Sequence, residues 1–177
     1  IKEYFNILAE YKIDNTFNLE TNAKKYANKK VKRDFEQGWQ GIEYKLNTVG
    51  SSRGDYPFVT VTIGLGIEHF EKMASITLLQ VHQNGQGKKG NKKPVLFPKI
   101  VFLYDEQIHG VGCSCEDVFN AGVECSSKTM YPDWLSMSGD GYIASMYKKY
   151  GLVISPMGKC KLAHVKPIEP IAYRVCR

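Results

Sequence analysis

Phe58–Leu65 reads FVTVTIGL. The run is mostly β-branched and nearly continuous in hydrophobicity, which suits a strand buried on both faces, as in a parallel sheet. Pro94–Tyr104, PVLFPKIVFLY, is a second run of this kind. Pro98 interrupts it and lacks an amide hydrogen for a ladder bond, so a bulge or a strand start is expected there. Between the two, Glu68–Gln83 brings Phe70, Met73, Ile76, Leu79 and Val81 to helical spacing.

Working outward, residues Ala23–Val49 carry Val31, Phe35, Trp39, Ile42 and Leu46 three to four positions apart. That pattern predicts a long helix with one apolar stripe against a core. Gly38 and Gly41 lie inside it and each costs about 1 kcal/mol against alanine. The expectation is that something approaches this backbone closely. Ile1, Phe5 and Leu8 give a shorter helical pattern over Ile1–Tyr11, and Asn15–Asn22 reads as a linker. Asp105–Asp117 reads as a loop, Val118–Val123 as a helical turn, and Tyr131–Trp134, YPDW, as an aromatic knot of scaffold. Ser138–Tyr150 is a small amphipathic helix running into a short strand, Leu152–Ser155, and the turn Pro156-Met157-Gly158. Helices and strands alternate with crossovers long enough for parallel pairing, so the fold class is α/β. The stretch from Lys159 to Arg177 breaks this rhythm with Pro167 and Pro170, and reads as an extended, poorly packed tail.

The 177 residues suit one domain or a piece of a larger one, and 43% hydrophobic with 24% charged residues is ordinary globular composition. No apolar run reaches the ~18 residues of a membrane span, and the start has no signal-peptide layout. A first residue Ile1 in place of methionine suggests a chain that begins inside a longer product. Five cysteines, Cys113, Cys115, Cys125, Cys160 and Cys176, are an odd number at irregular spacing. That favours a reducing compartment over a secreted disulfide framework. The net charge is +6, concentrated in Lys24, Lys25, Lys29, Lys30, Lys32 and Arg33, and in Lys88, Lys89, Lys92 and Lys93. Such clusters form either solvated faces or contacts to phosphate-bearing partners.

Several constellations carry chemistry, each beside a plainer alternative. Gly50-Ser51-Ser52-Arg53-Gly54 offers hydroxyls, a guanidinium and glycine-freed amides between a helix and a buried strand. It can cradle a phosphate or be a polar connection, and it lacks the lysine pattern of a P-loop. Asn47 precedes it, as a substrate contact or a helix C-cap. Asn84–Lys93, NGQGKKGNKK, is a mobile lid, a nucleotide-contacting loop or a plain solvent loop. Cys113 and Cys115 form a C-x-C pair with no second pair at zinc spacing, and His109 reads as a loop residue, so no metal site is expected. Cys125, beside Ser126, Ser127 and Lys128, is either a thiol activated at a helix N-terminus or a buried structural cysteine. Cys160 follows a tight turn at a strand end, a position that presents a side chain to a cavity.

Three stretches taken together, QGWQGIEYKLNTVGSSRGDYPFVTVTIGLG, GQGKKGNKKPVLFPKIVFLYDE and GVECSSKTMYPDWLSMSGDGYIASMYKKYGLVISPMG, closely resemble the anaerobic (class III) ribonucleoside-triphosphate reductases. The similarity runs from about Val31 to Gly158. The resemblance implies part, about half, of a ten-stranded α/β barrel of the glycyl-radical type, with residues 1–158 as the partial barrel and 159–177 as a divergent tail. It implies a glycyl radical made by an S-adenosylmethionine iron–sulfur activase, nucleotide effectors, and a cysteine at a finger-loop tip oxidised to a thiyl. That thiyl would take the ribose 3′ hydrogen before the 2′ hydroxyl leaves as water, inside a barrel that excludes solvent. The family's finger-loop motif is Pro-Met-Gly-Cys-Arg. Here Pro156, Met157 and Gly158 match, Lys159 intervenes, and Cys160 stands one residue late before Lys161.

The expected function is therefore that of a fragment of such a reductase, with Cys160 at the displaced catalytic position and Asn47, Ser51, Ser52 and Arg53 touching substrate. Expected partners are a ribonucleoside triphosphate, effector nucleotides, the activase, and a complementary reductase fragment or a second copy, in the cytoplasm, with no membrane and no cofactor held by the fragment itself. The alternatives are a catalytically silent nucleotide-binding or assembly module completing a split barrel, and a non-functional remnant. The displaced cysteine suggests an interrupted gene.

Overall fold

The computed structural model describes residues 1–3, 6, 19–50, 54–55, 58–88, 90–150 and 172–176, with backbone alone at 19–20 and 172–176. The chain is mixed α/β with a parallel sheet at its centre. Helix α1 (Leu19–Thr48) leads to β1 (Phe58–Ile63), then α2 (His69–Asn84), a hairpin of β2 (Gln86–Lys88) and β3 (Asn91–Lys93), and β4 (Lys99–Tyr104). A short α3 (Glu106–His109), α4 (Glu116–Lys128), β5 (Asp133–Ser136), α5 (Tyr142–Tyr150) and β6 (Ala172–Cys176) follow.

The sheet order is β5-β4-β1-β6. β1 and β4 run parallel with Val61 opposite Ile100 and Ile63 opposite Phe102, and β4 and β5 run parallel with Phe102 opposite Trp134. β6 lies antiparallel on the other edge of β1. Part of the tail is thus strand backbone; the strand expected at 152–155 lies outside the described residues. Because side chains alternate along a strand, Val61, Ile63, Ile100, Phe102 and Trp134 share one face. Against it pack α1, α2 and α4 through Trp39, Leu78, Leu79 and Val118. Burying such a layer stabilises by about 1.5–3 kcal/mol per large side chain. Trp39 also donates its indole N–H to the Ala74 carbonyl at 3.2 Å, fixing α1 along α2. Gly122 is where α4 comes closest to the sheet, since a Cβ there would sit 2.9 Å from the Trp134 ring.

The opposite face is divided. Val101, Leu103 and Leu135 at its carboxyl end pack under α5 with Met137, Ile143 and Tyr147. At its amino end stand Phe58, Thr60, Thr62, Lys99 and Asp133. The unbroken apolar reading of FVTVTIGL therefore holds on the helix side only.

Four local expectations change. The 84–93 stretch, expected as a loop, is a β-hairpin registered Gln86 to Lys93 and Lys88 to Asn91. α4 is a full helix, not a turn, and the YPDW knot contains the start of edge strand β5. β4, by contrast, begins directly after Pro98, the strand start expected there, and the Phe97–Pro98 peptide bond is cis. Gly38 and Gly41 are exposed, and a Cβ at either would meet nothing within 4 Å, so among the described residues no backbone approaches them. They are open helix positions whose only effect is entropic. Gly38→Ala and Gly41→Ala are each expected to stabilise by about 0.4–1 kcal/mol, read from urea midpoints at unchanged slope.

Candidate functional site

The amino end of the parallel sheet is organised by Asn47, in the last turn of α1. Its amide nitrogen donates to the carbonyls of Glu43 (2.7 Å) and Phe97 (2.6 Å), and its amide oxygen accepts from Leu96 N (3.0 Å) and Phe97 N (3.2 Å). Both donors and both acceptor positions of the side chain are thereby used. The end of α1 and the approach to β4 are held together by this one residue. A ligand contact by Asn47 would have to exchange one of these four bonds. Ser51, Ser52 and Arg53 lie outside the described residues, as do Pro156–Gly158 and Cys160.

The carboxyl ends of β1, β4 and β5 are tied by polar contacts, at the end of an α/β sheet where ligands commonly bind. His109 is 2% exposed, with Nε2 donating to the Gly64 carbonyl at 2.9 Å and Nδ1 accepting from Asp105 N at 3.0 Å. Ser138 Oγ accepts from Glu106 N at 2.8 Å, and the Cys115 thiol donates to the Gly66 carbonyl at 3.5 Å. His109 is thus not a loose loop residue but the bolt between two strand-end loops. Burial pushes its pKa below 6.5, against the opposing pull of Asp105 and Gly64. A folded pKa below the unfolded value makes the neutral ring the stabilising form. That contribution is complete above about pH 6.5 and is lost as pH falls through 6.5 toward the depressed folded value. Urea titrations from pH 7.5 to 5 should show this loss in the native chain and a flatter profile in His109→Gln.

The cysteines separate by environment. Cys125 is buried in the last turns of α4, not at a helix N-terminus, and its thiol meets Thr129 Oγ1 at 3.5 Å. Burial raises its pKa, with the Glu43 and Glu124 charges adding to the effect. That thiol is a structural one, and the activated reading is withdrawn. Cys115 is wholly buried and Cys113 half-buried. Among the described residues no group of three or more His, Cys, Asp or Glu could hold a metal ion. Nor is any described helix long and apolar enough to cross a membrane.

A buried polar network went unread in the sequence. Glu43 and His82 are both fully buried, with Oε1 3.0 Å from His82 Nδ1, while Glu43 Oε2 accepts from Gln86 Nε2 at 3.1 Å. Tyr131 lies edge-on to the His82 ring at 5.4 Å. Glu43 falls four residues after Trp39, on the buried stripe of α1, and a carboxylate at such a position was the available signal. The basic clusters have different settings. Tyr26, Lys29, Lys30, Arg33, Asp34 and Gln37 line a groove of about 440 Å³ along α1, where Lys30 pairs with Glu3. Lys88, Lys92 and Lys93 stand exposed on the hairpin.

Comparison with known proteins adds what this geometry leaves open. A family model described as anaerobic ribonucleoside-triphosphate reductase matches residues 5–165, so the match begins before Val31 and continues past Gly158. The chain is 34% identical over 141 residues to the anaerobic ribonucleoside-triphosphate reductase of Enterobacteria phage T4, covering 77% of this chain and 22% of that protein. It is 33% identical over 138 residues to the proteins of that name from Salmonella typhimurium and Escherichia coli, covering 77% of this chain and 18% of each. It spans about a fifth of the length of these relatives. The match over residues 5–165 and the 33–34% identity over 77% of the chain agree: the chain belongs to the anaerobic ribonucleoside-triphosphate reductase family.

Proposed function

We propose that the chain is a nucleotide-binding portion of a reductase that converts ribonucleoside triphosphates to deoxyribonucleotides by thiyl and glycyl radical chemistry. The family match over residues 5–165 carries this reading. Residues 1–158 would form part of a ten-stranded barrel and 159–177 a tail that diverges from the family, of which Ala172–Cys176 pairs with β1. Ser51, Ser52 and Arg53 hold the substrate's phosphates, with Asn47 as a fourth contact on exchanging one of its four bonds. Two hydroxyls and a guanidinium suit an anionic oxygen cluster, and a bidentate Arg contact supplies most of the affinity. Cys160 takes the position of the thiyl, one residue displaced. The activase and effector nucleotides act on the complete assembly in the cytoplasm, which a second copy or a complementary reductase fragment would finish.

The chain alone is expected to be catalytically silent. Incubated anaerobically with a ribonucleoside triphosphate and the activase, the purified chain should give no deoxyribonucleotide, and turnover there would overturn this. Binding is the direct test. CTP should bind the isolated chain, and Arg53→Ala should weaken it about 10- to 100-fold, the worth of a charge-assisted hydrogen bond. A chain that binds no ribonucleotide would leave the nucleotide reading without support.

A further inference from the structure

One side of the sheet is closed by a strand that lies beyond the family match, which ends at residue 165. β6 runs antiparallel along β1, with Phe58 opposite Cys176 and Thr62 opposite Ala172, so five of the six residues of β1 have a partner there. On its other side β1 pairs in parallel with β4. β6 is thus an antiparallel outer strand on an otherwise parallel sheet. Among the described residues nothing but β6 stands on that side of β1. Val59, Thr60 and Val61 are opposite Val175, Arg174 and Tyr173, so the alternation of the two strands is in phase.

Without β6 the sheet would end on β1, a strand ill suited to that place. An outer strand presents a row of unpaired N–H and C=O groups, and natural sheets blunt such rows with short strands, charges, proline or bulges. β5, the outer strand on the opposite side, is four residues long and opens on the exposed Asp133. β6 is five residues long with Arg174 at its centre. β1, FVTVTI, has six residues, five of them β-branched, with no charge, no proline and no glycine. An uncharged β-branched run of this length with an open edge is the pattern that pairs with its own copy. Burial of Val59, Val61 and Ile63 under the helices, together with the ladder to β4, would hold β1 in place and leave that edge presented.

We propose that β6 is an autoinhibitory strand: it fills the edge of β1 and so keeps β1 from pairing with β1 of a second copy of this chain. Backbone geometry fixes what it covers. Along a strand the N–H and C=O groups of successive residues point to opposite sides, so alternate residues of β1 bond to β4 and the remaining ones to β6. Loss of β6 opens the second set alone. The assignment is independent of the nucleotide reading above.

Two kinds of variant test this by hydrogen exchange and sedimentation. In a chain ended at residue 171, the β1 amides on the β6 side should lose their protection while those facing β4 keep theirs. Sedimentation should then show a species of twice the native mass, which an added peptide of residues 171–177 disperses. The second test keeps the whole chain. Arg174→Pro and Val175→Pro each remove one amide hydrogen, and of two successive residues on an outer strand one donates to β1 while the other faces outward. One proline should therefore reproduce both the lost protection and the doubled mass, and the other should leave both native. Should the shortened chain unfold, the proline pair decides. Native protection of β1 in the shortened chain overturns the proposal, as do two proline variants that behave alike. Lost protection at the native mass would show a strand that covers β1 but blocks no partner, and overturns the autoinhibitory role.

Discussion

Replacing Gly64 by alanine is expected to destabilise the fold by about 3–5 kcal/mol, enough to shift the thermal midpoint by roughly 6–20 °C in a chain of this size. Gly64 ends β1 with φ +122°, a backbone conformation that costs a side-chain-bearing residue about 1–3 kcal/mol. Strain is the smaller part. An alanine Cβ would come within 2.4 Å of the Leu103 carbonyl oxygen and 3.1 Å of its nitrogen, atoms of the neighbouring central strand that cannot move aside separately. Relief would require β1 to withdraw from β4 at its carboxyl end, which also removes the Gly64 carbonyl from His109. Gly54→Ala and Gly139→Ala are the controls. Both sit at positive φ, +82° and +85°, with nothing within 4 Å of the added carbon, so each should show the backbone strain alone. Equal losses at Gly64 and at the controls, in urea melts, would remove the steric part of the explanation.

The parts of this fold that are legible in the sequence are those whose burial leaves a period. β1 and β4 announce themselves because a central strand in a parallel sheet buries its whole helix face and much of the other, leaving a nearly continuous apolar run. α1 and α2 announce themselves because one stripe faces a core. β5 is hidden for the opposite reason: Asp133–Ser136 is an edge strand, four residues long and largely exposed, with no run for a pattern to build on. The β2–β3 hairpin is hidden because its residues are glycine, lysine and polar amides, and its register comes from turn geometry, not from a buried face. α4 is read short because its last buried side chain, Cys125, stands among Glu124, Ser126, Ser127 and Lys128, which break the apolar pattern. Gly38 and Gly41 show the converse error. A glycine in a helix invites a packing reason, and here the surrounding space is empty. At the site, position along the chain locates the 50–55 connection and Asn47, but not the four bonds that consume the Asn47 amide. Lys99 and Asp133 are 34 residues apart and meet only because β4 and β5 are paired in register.

Glu43→Ala should cost about 3–5 kcal/mol, the loss that follows when one member of a buried polar pair is removed. Its carboxylate joins α1 to the end of α2 through His82 and to the start of the hairpin through Gln86, with no exposure at either Glu43 or His82. Alanine leaves His82 Nδ1 without its acceptor, leaves Gln86 Nε2 with the Gln40 carbonyl alone, and leaves a cavity beside them. His82 has little reserve, since its Nε2 is already buried without a hydrogen-bond partner among the described residues. Glu43→Gln keeps the volume and one acceptor oxygen, and should cost nearer 1–2 kcal/mol, the worth of the hydrogen bond it forfeits. The decisive comparison is the double variant Glu43→Leu/His82→Leu. If the pair holds the fold by mutual satisfaction, an apolar replacement of both should recover most of what Glu43→Leu alone loses, with a coupling energy of about 1–3 kcal/mol in a double-mutant cycle. Additive losses would mean that each residue is held by its own packing. The hairpin supplies a second readout. With the Gln86 contact gone, amide exchange at residues 86–93 should accelerate more than the change in global stability requires, because this carboxylate and the Gln40 carbonyl are the acceptors that bind the Gln86 side chain to α1.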